Sequence, residues 1–331
     1  MKNREHFHMN FLLFFFLFSL IIFAFSRMRF EQSHSYEKGS LEVFIPQGAT
    51  YTKALNILKE KGIITYSFPY KLLARLTGAD HNLKAGYYLF NKNSSIHEVF
   101  NKLNRTDVIM TSFTIVEGET LKQICQKIAS NDNMKDECLR LCYDKNFIAS
   151  LKLDVPNLEG YLYPETYVFV KGVSPPVVLQ AMVKELRKNL SLELLVRSRK
   201  LKMDERELLT LASIIEKEAA VDEERELISA VFHNRLKIGM PLQSDPTAIY
   251  GTGKVRSQVT REDRLRYTDY NTYHISGLPP GPIASPGIKS IRAALYPASV
   301  NYLYFVAKKD GTHYFSKTYK EHLRAIDEYL R

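Results

Sequence analysis

The chain has few cysteines, few chain-breaking residues and too few acids to balance its bases. Its 3 cysteines in 331 residues, Cys125, Cys138 and Cys142, exclude a disulfide-framework domain and a four-cysteine zinc site. Cys138 and Cys142 are four apart, one above the other if that stretch is helical. A single bridge to Cys125 would leave a thiol over, so free buried thiols are the expectation. Only 15 Gly and 13 Pro stand against 45% hydrophobic residues, which removes the disordered and fibrous classes. With 36 acids against 46 bases the net charge is +10, suiting an anionic partner such as nucleic acid, phospholipid or an acidic polymer. No H-E-x-x-H occurs among the 9 histidines, so metal catalysis has no support and no metal or cofactor is expected. There is no G-x-S-x-G, and Ser213 sits mid-helix, where its ordinary role is a bond to a carbonyl one turn back. The Gly251–Lys254 run fails as a phosphate loop, since Ala248 and Val255 replace the glycine and hydroxyl that it needs.

What is present begins with an apolar run. Residues 9–26, MNFLLFFFLFSLIIFAFS, carry no charge and as a helix would reach about 27 Å, enough to cross a bilayer core. Lys2 and Arg4 precede the run, which keeps residues 1–8 in the cytoplasm. Ala24-Phe25-Ser26 is a poor cleavage site. The reading is therefore a retained single-pass anchor in the cytoplasmic (inner) membrane, with everything after it in the periplasm or outside. That placement removes nucleic acid from the partners.

Residues 27–40 are polar and read as a tether. The rest reads as α+β in two parts, a small module over 41–110 and a larger domain over 111–331. Leu41–Ile45 is strand-like, Pro46-Gln47-Gly48 a turn, and Thr50–Lys61 a helix with Ala54, Leu55 and Leu58 on one face. The same strand, glycine turn, threonine cap and helix return seventy residues later, with Ile115-Val-Glu-Gly-Glu-Thr120 aligned on Ile45–Thr50. This form resembles the start of a LysM domain, a fold that commonly binds N-acetylated glycans. Helices are further expected over Tyr66–Leu76, from Pro175 to about Lys200, from Asp204 to about Ala220, from Asp222 to Ile238, and from Lys317 onward. A hairpin is expected across Lys309-Asp310-Gly311. Between Gly239 and Pro286 the chain reads as polar and aromatic loop, the character of a binding cleft.

With metals and nucleophiles set aside, carboxylates remain. Leu208, Leu211 and Ile215 trace the buried stripe of the Asp204 helix, and Glu218 continues it; Glu216 points to another face. A glutamate ending an apolar stripe has its charged form disfavoured by desolvation and can protonate a leaving oxygen near neutral pH. An i, i+2 glutamate pair near a helix end is also commonly a solvated surface.

Several motifs occur in one order: LEGYLYPETYVF (158–169), LASIIEKEA (211–219), VFHNRLKIGMPLQSDPTAIYG (231–251), YNTY (270–273), GLPPGPIASPG (277–287) and YLYFVA (302–307). Together they resemble the endolytic murein transglycosylase family, over nearly the whole chain. The resemblance implies a membrane-anchored enzyme of the endolytic transglycosylase fold. It would cleave the β-1,4 bond from N-acetylmuramic acid to N-acetylglucosamine within peptidoglycan strands and leave 1,6-anhydro ends. It further implies a single catalytic acid in the E-K-E segment, Glu218 with Glu216 as the alternative, and cell-wall synthases such as penicillin-binding proteins as partners. Ala219 stands where other lytic transglycosylases carry a hydroxyl. Gln243, Ser244, Asp245, Thr247 and Tyr250 are candidates for one sugar-facing wall, and Tyr270, Asn271, Thr272 and Tyr273 for the other. Amides and hydroxyls match acetamido sugars, and tyrosines stack on sugar rings. Leu278-Pro-Pro-Gly281 reads as a rigid loop, and His313 and His322 as candidates for orienting roles. Two competing classes stay open: a non-catalytic glycan-binding scaffold, and a hydrolytic muramidase with Asp245 activating water.

Overall fold

The computed structural model describes residues 39–78, 81, 83–91, 94–129, 132–254 and 259–330. The anchor expected at 9–26 lies outside them, and no helix among the described residues is long and apolar enough to cross a membrane. The chain divides into two compact units. One runs to Ser112 and takes back Val168–Val173; the other comprises Phe113–Tyr167 and Ser174–Arg331.

In the first unit, β1 (Ser40–Ile45) pairs antiparallel with β2 (Gly86–Asn91), Val43 opposite Tyr88. Strand alternation sends Val43 and Ile45 inward and leaves Phe44 exposed. Helices α1 (Tyr51–Glu60), α2 (Phe68–Thr77) and α3 (Ile96–Asn104) supply the rest of its core. Leu55, Leu58, Tyr88, Phe90 and Leu103 are fully buried there, each leucine worth roughly 1.5–3 kcal/mol of transfer from water. Thr50 caps α1 by accepting the Lys53 N–H, and Ser95 and Glu98 close a capping box on α3.

Strand β3 (Met110–Thr114) pairs with β4 (Thr166–Val170). The second unit is mainly helical. Helix α4 (Leu121–Ile128) is followed by α5 (Asp132–Tyr143) and α6 (Lys145–Ser150). The expectation of free thiols is overturned here. Packing of α4 on α5 brings Cys125 and Cys138 to 5.7 Å between Cα atoms, and a disulfide joins them. Cys142 stays free and buried, its thiol pushed up to about 12 by that burial.

The long helix expected from Pro175 is two helices, α7 (Pro175–Asn189) and α8 (Leu192–Lys200). Ser191 breaks it by leaving helical geometry and accepting the Leu194 N–H, a new N-cap. Helix α9 (Glu205–Glu218) is the centre of the unit. Asp204 accepts from the Glu207 N–H at 2.7 Å and Glu207 reaches back to the Asp204 N–H at 2.9 Å. Every residue from Leu208 to Ile215 is buried, so the single stripe read from the sequence is in fact a helix enclosed on all sides. We expect Asp204→Ala to cost about 1 kcal/mol, seen as a lower thermal midpoint with cleavage retained.

Against α9 pack α10 (Arg225–Lys237) and, further along, α13 (Ile288–Leu295). Two short helices interrupt the expected loop between them, α11 (Asp245–Ile249) and α12 (Arg261–Leu265). The hairpin of β5 (Tyr304–Ala307) and β6 (His313–Ser316) and the final helix α14 (Tyr319–Leu330) complete the unit.

Candidate functional site

Glu218 is the last residue of α9 and is 2% exposed. The Ser244 hydroxyl donates to its Oε1 at 2.7 Å. Ser244 is in turn fixed from every side. Its N–H donates to Thr272 Oγ1 at 2.9 Å, and its carbonyl accepts from Thr247 Oγ1 at 2.6 Å. Thr247 and Thr272 share a hydroxyl contact at 2.8 Å, and the Thr272 N–H donates to Thr247 Oγ1 at 3.1 Å. Ahead of Ser244, the Gln243 N–H donates to the Thr272 carbonyl at 3.0 Å while its φ is +50°. A left-handed conformation at a non-glycine residue is costly and persists only where its surroundings hold it. Arg235, buried on α10, supplies part of that hold by donating to the carbonyls of Leu242 and Leu303, both at 2.7 Å.

The nine residues expected to face sugar therefore separate into two groups. Ser244, Thr247, Asn271 and Thr272 are buried and knit the loops together. Asn271 is wholly internal, its amide donating to the carbonyls of Asp263, Arg264 and Arg266. Gln243 is exposed, and Asp245, Tyr250, Tyr270 and Tyr273 are half-buried. Tyr250 and Tyr270 lie 4.6 Å apart between ring centres. Asp245 is gripped by both arms of Arg264 at 2.8 and 2.9 Å and accepts the Tyr273 hydroxyl at 2.7 Å. Burial, then the bond to Asp245, pushes the Tyr273 phenol up.

The two glutamates of the E-K-E segment have different surroundings. Neither is a solvated surface group. Glu216 accepts from Arg225 on one oxygen and from the Gly287 N–H on the other, both at 2.9 Å. Arg225 also donates to Asp222 and Ser290. Glu216 thus pins the end of α9 to the starts of α10 and α13.

Glu159 is a further acid that sequence reasoning missed. It is 3% exposed, accepts the Leu121 N–H at 3.0 Å on Oε1 and the Tyr250 hydroxyl at 2.9 Å on Oε2. Burial pushes its carboxyl up to about 7 against these lowering bonds. The one available signal was a lone acid inside an apolar and aromatic run, Leu158-Glu-Gly-Tyr-Leu-Tyr163.

A sequence model described as the YceG-like family matches residues 43–328. The chain belongs to the YceG-like family. An endolytic murein transglycosylase of Bacillus subtilis is 34% identical over 93% of this chain and 90% of its own length. One of Streptococcus pneumoniae strain R6 is 29% identical over 88% of this chain but 59% of its own length. The crystal structure of a yceG-like protein from Listeria monocytogenes superposes with a TM-score of 0.60 at 36% identity, over 87% of this chain and 99% of that one.

Two further residues that the sequence singles out in this YceG-like protein, Ser213 and His313, have structural partners. Ser213 donates to the Thr210 carbonyl, as its mid-helix position predicts, and also accepts the Ile283 N–H. That second bond ties α9 to the proline loop. His313 bonds Glu224 through both its backbone N–H and its ring, holding β6 to the turn before α10. A cavity of about 640 Å³ is lined by Arg206, Thr210, His233, Leu236, Leu278 and Pro279; none of the nine expected sugar-facing residues belongs to it. Among the described residues, one cluster has metal-ligand spacing, Cys125 with Cys138 and Cys142. The disulfide occupies two of those three sulfurs.

Proposed function

We infer that this chain is an endolytic murein transglycosylase in which Glu218 is the single catalytic acid. The observation that carries the assignment is the buried Glu218 carboxyl, which accepts the fixed Ser244 hydroxyl at Oε1, whereas Glu216 is locked in an ion pair with Arg225. The names of the curated relatives support the activity.

In this reaction protonated Glu218 donates to the glycosidic oxygen as the muramyl C1 becomes oxocarbenium-like. The sugar's own acetamido oxygen assists. The resulting carboxylate then takes the proton from the C6 hydroxyl of the same sugar, which attacks C1 and closes the 1,6-anhydro ring. No water is consumed, so no second carboxylate has to activate one. The engagement of Asp245 by Arg264 and Tyr273 fits that scheme and argues against Asp245 as a water-activating base. Gln243, Tyr250, Tyr270 and Tyr273 offer the partly exposed amide, phenol and ring surface for sugar, with Ser244, Thr247, Asn271 and Thr272 as their rigid support. The reading extends to a membrane anchor at 9–26, with the described units in the periplasm or outside. It also extends to glycan binding by the strand-turn-helix units and to contact with cell-wall synthases.

Mass spectrometry of peptidoglycan strands digested by the full-length protein in detergent tests this. Internal fragments ending in 1,6-anhydromuramic acid, made equally by Glu216→Gln, are the expected products. Fragments that have gained a water would make the protein a hydrolase, and intact strands would make it a scaffold.

A further inference from the structure

Glu159 has no part in that reaction scheme, yet it is among the buried carboxyls of the second unit and sits behind a sugar-facing tyrosine. Its two oxygens have different hydrogen-bond partners, and the Gly160 N–H also faces the carboxyl. The Leu121 N–H on Oε1 can only donate, so Oε1 must remain an acceptor in either protonation state. The Tyr250 hydroxyl on Oε2 can donate or accept. A proton on Oε2 therefore reverses the second bond. Oε2 donates to the phenol oxygen, and the phenol's own proton is released from its inward bond. Tyr250 directly follows α11, whose N-cap Ser244 holds Glu218.

We propose that Glu159 is a positioning residue acting through Tyr250, which it turns between a hydroxyl bonded inward and a donor available to glycan oxygens. The proposal rests on the reading of Tyr250 as part of the glycan site. Protonated Glu159 makes the donor available; ionised Glu159 withdraws it. The groups around Glu159 are Tyr250 and Tyr270, Lys217 on α9, and Cys142 and Tyr143 on α5. Burial pushes Cys142, Tyr143, Tyr250 and Tyr270 up, away from neutrality. Lys217 donates to the Gly118 carbonyl. Glu159, raised to about 7, changes charge between mild acid and mild base.

Initial rates of strand cleavage by the full-length protein, measured from mildly acid to mildly basic pH, test the proposal. For wild type, KM should rise roughly threefold to tenfold as pH passes through neutrality, the worth of one neutral hydrogen bond. Glu159→Gln carries an amide that donates to Tyr250 at every pH, so it should keep the low KM throughout. Tyr250→Phe should show the high KM throughout. A wild type that cleaves with a flat KM, or either variant retaining the wild-type inflection, overturns this proposal alone. A wild type that releases no anhydro-ended fragments overturns the functional reading with it.

Discussion

Glu218→Gln is expected to lower the release of anhydro-ended fragments by about 10³-fold, the middle of the range for a positioned general acid. The substitution is nearly isosteric, and its carbonyl oxygen can still accept the Ser244 hydroxyl now found at 2.7 Å. The fold should therefore survive, with a thermal midpoint close to wild type. What disappears is the transferable proton. Glu216→Gln is the informative companion because it has the opposite profile. It leaves the chemistry in place but replaces a buried carboxylate that accepts from Arg225 and the Gly287 N–H. Loss of cleavage with Glu216→Gln alone would move the acid two positions along the helix.

The largest loss of stability is expected from Gly160→Ala, roughly 3–5 kcal/mol. Gly160 has a φ of +80°, already unfavourable for alanine, and an added Cβ would lie 2.4 and 2.5 Å from two ring carbons of Pro282. The obstacle cannot swing away. Pro282 is buried in the chain just before Ile283, whose N–H bonds Ser213, and Ser285, whose N–H bonds the Glu119 carbonyl. Relief would have to come from Gly160 itself, next to Glu159 and the bond to Tyr250. A thermal melt of the full-length variant should show a midpoint lower by many degrees or no soluble folded protein. A midpoint within two degrees of wild type would refute the argument from close packing.

The parts of this structure legible in the sequence are those fixed by neighbouring residues. The Asp204 and Glu207 capping box places the start of α9, and the run of apolar residues after it carries Glu218 inward. The strand, turn and helix around Thr50 are likewise local. The bond between Glu159 and Tyr250 spans 91 positions, and no local pattern encodes it. The Cys125 and Cys138 bridge depends on how α4 meets α5, which spacing alone leaves undecided. Asn271 shows the converse difficulty. Its polarity suggested a ligand contact, but the backbone carbonyls of Asp263 and Arg264 in α12 and of Arg266 just after it take up its amide. Short polar residues stabilise irregular backbone as readily as they bind sugars.

The first unit takes back Val168–Val173 after the chain has departed from it, and this return has a consequence for the order of events during synthesis. Val170 lies where a Cβ on Gly86 would come within 2.5 Å, Gly172 sits against the Tyr87 ring, and Lys171 pairs with Glu42 at 2.6 Å. A chain emerging from the ribosome has delivered β1 and β2 by Asn91 but not the segment that closes over them. At the ribosome's pace of ~5–20 residues per second, the wait from residue 112 to residue 173 is roughly 3–12 s. During that interval Tyr87 and its neighbours stay open to solvent and to chaperones. For the same reason the unit is not a portable cassette: cut after Ser112 and transplanted, it would leave behind the segment that completes it.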